Sequence, residues 1–212
     1  MQKGLTVTSS PMRQSRLPRE ERRRQLLEAA QQVFVEHGYH DTSMDDIAVA
    51  AAVSKPVLYQ HFPGKHELFL DLMDTQLTLL QGALSDALGS TTDNKERVLA
   101  TIRACFQFVD RPDRAYRLIF DSGLNNDPEV AGRVEEMDHR FATDIAEIIA
   151  ADTRLSREEA LLLGHGLAGL AQSASRHWAG QAGQEGRPDL ESAADLAFRL
   201  AWRGISRFPK EG

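Results

Sequence analysis

The chain has 212 residues, enough for one compact domain or two small ones. Its 42% hydrophobic and 26% charged residues give an ordinary globular balance with material for a core. A net charge of −6 excludes a polybasic coat over the whole molecule, and a single cysteine, Cys105, excludes an internal disulfide or a four-cysteine metal site.

Residues 1–66 hold nine Lys/Arg against seven Asp/Glu, while residues 67–212 hold sixteen against twenty-four. A basic head on an acidic body points the head, and not the body, at a polyanion. The first residues lack the apolar core of a secretory signal. The most apolar stretch, residues 160–171, is interrupted by His165 and is too short to span a bilayer. The expected location is the cytoplasm, with no membrane partner.

Residues 1–17 are rich in Ser, Thr, Gly and Pro, show no period, and read as a flexible arm. From Arg19 the pattern turns helical, with Leu26, Leu27, Ala30, Val33 and Phe34 on one face and Gly38 ending it. Thr42 with Asp45, and Ser43 with Asp46, offer two overlapping capping boxes for a short second helix. Ser54 is the next N-cap candidate, and Pro56 suits the first turn of a third helix that Pro63-Gly64 closes. A long helix follows from near Lys65 to about Leu88. Five further segments open at residues such as Asp127-Pro128, Leu155-Ser156 and Pro188-Asp189, the last running to about Phe208. With no convincing alternating strand, the fold class is all-α, about nine helices: a helix-turn-helix head at 18–66 and a helical body at 67–208 for effector binding and dimerisation.

Two motifs suggest enzymes and fail on context. Gly164-His165-Gly166-Leu167-Ala168-Gly169 matches the dinucleotide fingerprint but follows a helix, whereas that chemistry needs a preceding strand. Its small residues suit close helix approach, inside the fold or across a dimer. Glu136-x-x-His139 has the spacing of a di-iron bundle, which needs a second copy that the chain lacks. A helical-bundle metalloenzyme is the alternative of another class, and bound-metal analysis separates it. No catalytic group, cofactor or metal is expected.

Residues 42–65 carry a different chemistry. Two short helices braced by a first one make the arrangement that sets its second helix in the major groove of double-stranded operator DNA. At 100° per residue Leu58 and Phe62 face inward, leaving Pro56, Val57, Tyr59 and Gln60 outward. An outward Gln can pair with adenine and Val can meet a thymine methyl. Lys55, Tyr59, His61 and Lys65, with the hydroxyls of Thr42 and Ser54, are candidates to hold phosphates. A protein coating DNA without a preferred site would lack this reading face.

Ser43-Met44-Asp45-Asp46-Ile47-Ala48, then Val53-Ser54-Lys55-Pro56-Val57-Leu58-Tyr59-Gln60-His61-Phe62, with Lys65 and Glu67-Leu68-Phe69, resemble the DNA-binding signature of TetR-type regulators. The resemblance implies a homodimer controlled by a small ligand. Ala52 departs from the glycine common at that turn; if the position needs positive φ, alanine costs ~1 kcal/mol there.

Residues 54–65, Thr91-Thr92-Asp93-Asn94, Tyr116-Arg117-Leu118-Ile119-Phe120 and Asp127-Pro128-Glu129-Val130 resemble, more narrowly, actinobacterial regulators of fatty-acid synthesis. That likeness implies an apolar tunnel for the effector, a long-chain acyl-CoA that weakens operator binding. Cys105, Phe106, Val109, Phe120, Phe141, Leu163 and Leu167 are the expected lining. Arg103, Arg111, Arg114, Arg117, Arg133 and Arg140 are the expected cations for a CoA head. A repressor of an efflux or catabolic gene, with another apolar ligand, is the alternative. Small faces at Gly164, Ala168, Ala171 and Ser175, and at Ala197, Ala201, Gly204, Ile205 and Phe208, are the expected dimer seam.

Overall fold

Every helix start that the sequence marks with a capping residue is where a helix begins. The computed structural model describes residues 18–124 and 126–205. The arm at 1–17, the helix end at Phe208, and the seam side chains of Gly204, Ile205 and Phe208 lie outside what is described. In chain order the helices are α1 (Arg19–His37), α2 (Met44–Ala50), α3 (Lys55–His61), α4 (Lys65–Gly89), α5 (Asn94–Val109), α6 (Tyr116–Phe120), α7 (Pro128–Asp152), α8 (Arg157–Gly180) and α9 (Leu190–Ile205). No strand occurs among the described residues. No helix of theirs is long and apolar enough to cross a membrane.

Of the two overlapping capping boxes at α2, only one forms. The Ser43 hydroxyl accepts from the Asp46 N–H, and the Asp46 carboxylate accepts from the Ser43 N–H at 2.9 Å. The Ser43 hydroxyl, which also donates to this carboxylate at 2.6 Å, and the Ser43 N–H hold the Asp46 carboxyl below the usual carboxylate range. Thr42 instead turns its hydroxyl inward to the Gly38 carbonyl at 2.7 Å. Asp127 caps α7 by accepting from the Glu129 and Val130 N–H groups, with Pro128 in the first turn. Ser156 and Glu159 make the matching reciprocal box on α8.

Burial follows the stripes. Leu26, Ala30, Val33 and Phe34 of α1 meet Ile47, Leu58, Phe62 and Phe69 in an apolar core that continues along α4 into the body. In the body α7 pairs with α8, and α5 is enclosed by α4, α8 and α9. The α7–α8 approach is closest at Gly164, where an added Cβ would lie 2.2 Å from the Ala142 carbonyl oxygen. This close approach accounts for the first of the fingerprint-like glycines, Gly164, while Gly166 and Gly169 have nothing within 4 Å.

The expected dimer seam is corrected here. Ala168, Ala171 and Ser175 are buried within a single chain, as are Ala197 and Ala201. α9 spends its alanine face on α5 and α8. The outward faces are others: Leu162, Gly166, Gly169 and Ser173 on α8, and Leu196 and Leu200 on α9.

The turn between α2 and α3 holds Ala52 at φ +53°. An exposed alanine there is strained by ~1 kcal/mol. Ala52→Gly is therefore expected to raise the melting temperature by about 2–4 °C in a thermal-unfolding measurement; no rise would mean the turn bears no strain.

Candidate functional site

The head presents α3 as its outer element because two apolar anchors pull one face in. Leu58 and Phe62 are 0% and 1% exposed. Ser54, Lys55, Pro56, Tyr59 and Gln60 are exposed, while Val57 and His61 are half-buried. The orientation read from the sequence is the one observed for α3. Ser54 caps α3 by its backbone alone and leaves its hydroxyl free of the helix.

Charge on this surface is set by neighbours. The Lys55 ammonium lies 2.6 Å from an Asp45 carboxylate oxygen, which pushes its pKa up. His61 has a buried Nδ1 with no partner among the described residues. Burial, then the positive charges of Arg19, Arg23 and Arg22, push its pKa below the ordinary value, so the ring is neutral at neutral pH. These α1 arginines were visible as a basic run, but their approach to α3 depends on folding.

Two expected phosphate ligands are placed differently. Thr42 is 2% exposed, with its hydroxyl committed to Gly38. Lys65 donates to the Tyr39 and Thr42 carbonyls at 2.9 and 2.8 Å, with its ammonium 4.3 Å from the Tyr39 ring centre. It pins the α1–α2 loop to the start of α4. Both residues assemble the head.

In the body a cavity of about 110 Å³ lies between α5, α7 and α8. Phe141, Leu163 and Leu167 line it, as expected, together with Val98, Ile102, Ile145, Ile148 and Ile149. Cys105, Phe106 and Val109 do not. They belong to the packed core, where Phe106 meets Trp178 at 5.6 Å between ring centres. Burial pushes the Cys105 thiol up to about 12, which leaves it without thiolate reactivity. Phe120 lies in a separate open groove with α7 and α8, its ring beneath Arg176.

None of the six expected arginines lines the cavity. Arg103 pairs with Glu191, Arg111 with Asp113, Arg133 with Asp74, and Arg140 with Glu136, while Arg117 donates to the Val35 carbonyl. The arginine at the cavity is Arg97. Its Nε donates to the Leu88 carbonyl at 3.0 Å and a terminal nitrogen to Asn94, whose amide donates in turn to Asp152. This polar chain crosses one end of a mainly apolar space. Glu136 pairs with Arg140, and the described residues hold no group of three metal-ligating side chains.

α4 starts beside the head and runs into the body. The structure adds three polar links from the α6–α7 segment. Arg117 donates to Val35 at 2.7 Å, His40 lies 3.3 Å from the Gly123 carbonyl, and His66 in the first turn of α4 lies 3.0 Å from Asp127. The Val130 N–H, with His66 and the Glu129 N–H, holds Asp127 below the usual carboxylate range.

This arrangement has close counterparts. Residues 26–72 match the bacterial regulatory proteins of the tetR family. The HTH-type transcriptional activator FasR of Mycolicibacterium smegmatis is 39% identical over 93% of this chain and 89% of its own length. A TetR-like transcriptional regulator from Rhodococcus sp. RHA1 shares the fold with a TM-score of 0.74 and 29% identity, over 91% of this chain and all of that one. FadR from Bacillus subtilis, solved in complex with stearoyl-CoA, shares the fold at a TM-score of 0.70 and 17% identity, over 86% of this chain and 98% of that one. A head built to offer α3, joined to a cavity-bearing body and matched over nearly its whole length by such a relative, makes this chain a member of the tetR family of transcriptional regulators.

Proposed function

We propose that the protein is a homodimeric regulator of fatty-acid synthesis genes whose operator binding is set by an acyl-CoA. The observation that carries the effector reading is the α5–α7–α8 cavity, walled mainly by aliphatic and aromatic side chains with the Arg97–Asn94–Asp152 chain at one end. Apolar walls suit an acyl chain at ~0.8 kcal/mol per buried CH₂, and a polar end suits the head that carries it. The likeness to FasR supports the choice of genes.

Size gives the effector its leverage. At about 110 Å³ the cavity is smaller than an engineered space that takes one benzene. A long chain must therefore part α5 from α7 to enter, and that displacement is the work available for switching. Operator binding titrated with acyl-CoAs of graded length tests this: the response is expected to depend on length. Indifference to length, or a response to a compact apolar compound alone, would favour the regulator of an efflux or catabolic gene.

Operator reading is assigned to the exposed face of α3. Gln60→Ala is expected to lose ~1–3 kcal/mol of preference at one base pair per half-site in a binding-site selection. Lys65→Ala is expected to lower the melting temperature and leave the salt dependence of DNA binding unchanged, because its ammonium is committed to Tyr39 and Thr42. A shallower salt slope for Lys65→Ala would return it to the phosphates. Dimerisation is assigned to the outward faces of α8 and α9, where Leu162, Leu196 and Leu200 are 73%, 54% and 68% exposed.

A further inference from the structure

One side chain in the cavity is out of keeping with its walls. Thr101 on α5 is 5% exposed, lines the cavity, and has a buried hydroxyl with no partner among the described residues. Threonines in helices ordinarily return their hydroxyl to the carbonyl four residues back. Thr75, Thr78 and Thr143 do so here, at 2.9, 2.8 and 2.8 Å. Thr101 forgoes that bond and leaves a buried polar group unsatisfied, an arrangement that is costly until something pairs with it.

Its position restricts the partner. Thr101 follows Arg97 by one helical turn, so its hydroxyl lies about 6 Å further along α5 than the polar end. Val98, Ile102, Ile145 and Leu163 are among the apolar side chains that line the same cavity. A carboxylate there would be buried among aliphatic carbon, about one helical turn from the Arg97 guanidinium, which directs its Nε to Leu88 and a terminal nitrogen to Asn94. A neutral oxygen would gain one hydrogen bond and lose little.

We propose that Thr101 donates its hydroxyl to the thioester carbonyl of the acyl-CoA, making it the residue that selects acyl thioesters over free acids and over alkyl chains. The proposal rests on the acyl-CoA reading above. The carbonyl sits on Thr101, the acyl carbons continue into the apolar space, and the neutral amides next to the sulfur reach Asn94 and Asp152.

The test compares hexanoyl-CoA and palmitoyl-CoA with their thioether analogues, which lack the carbonyl, and with the free acids, by calorimetry on the full-length protein. The native protein is expected to prefer each thioester over its thioether by about tenfold. Thr101→Val, of the same shape, is expected to abolish the preference, and Thr101→Ser to keep it. Ligand-free Thr101→Val is expected to melt about 2–4 °C higher, since it removes the unpaired hydroxyl. Equal affinity of the native protein for thioester and thioether, or a lower melting temperature for Thr101→Val, would overturn the role of Thr101. Binding of none of these CoA compounds would instead overturn the acyl-CoA reading itself.

Discussion

Gly164→Ala is expected to lower the melting temperature by about 4–8 °C. The added methyl would lie 2.2 Å from the Ala142 carbonyl oxygen and 3.3 Å from the Ala146 nitrogen, both backbone atoms that cannot swing aside. Relief requires α8 to move off α7 along the tightest helix pair in the body. Overpacking of that kind costs about 3 kcal/mol, against a helix-propensity gain of about 1 for replacing a glycine. At about 2–4 °C per kcal/mol for a chain of this length, the balance is a large drop. Gly166 and Gly169, on the same helix, have nothing within 4 Å of the corresponding position. Alanine at either is expected to stabilise one chain. If their face meets its own copy across a two-fold axis, the same methyls hold the copies apart and weaken the dimer. Thermal unfolding and sedimentation at graded concentration separate the two effects. A Gly166→Ala, Gly169→Ala protein that dimerises as tightly as the parent would place the seam elsewhere.

That contrast shows where sequence was a sufficient guide. α8 carries small residues on two faces: Gly164, Ala168, Ala171 and Ser175 inward, Gly166, Gly169 and Ser173 outward. A periodic pattern identifies both stripes and ranks neither, because inside and outside are decided by α7 and α5. The head was legible because its signals are local. Ser43, Pro56, Leu58 and Phe62 act within a turn or two of themselves, and α3 faces the way their spacing dictates. The role of Lys65 was not legible, since the Tyr39 and Thr42 carbonyls it satisfies are brought near only by folding; Thr42 bonds Gly38 four residues back, one of two local bonds open to a hydroxyl that the sequence also offers as a cap for α2. In α5 the apolar stripe runs the length of the helix. Its C-terminal half is filled by Trp178 against Phe106, and its N-terminal half faces the isoleucines of α7, which leave the space open. Three of the seven expected lining residues therefore line it, and Arg97 and Thr101 were passed over.

His66→Ala is expected to cut the coupling between effector and operator by about tenfold while leaving each affinity, measured alone, within about twofold. α7 reaches both sites. Phe141, Ile145, Ile148 and Ile149 line the cavity, and the Asp127 cap at its start holds His66 in the first turn of α4. Fourteen residues separate Phe141 from Asp127, about 21 Å of rigid helix. A chain that forces α7 away from α5 therefore displaces Asp127, which pulls on His66 four residues beyond the Phe62 anchor of the head. Asp127→Asn is the companion change: it can still cap α7 but loses the charge that faces His66. Coupling is reciprocal, so if an acyl-CoA sets operator binding as proposed, operator DNA must change acyl-CoA affinity by the same factor. Both factors are expected to shrink together in both variants, measured by titrating each ligand with and without the other. If His66→Ala couples as strongly as the parent, the Asp127–His66 link carries no part of the signal, and the α6 links to the head and the packing of α4 against α5 and α7 are the routes to test next.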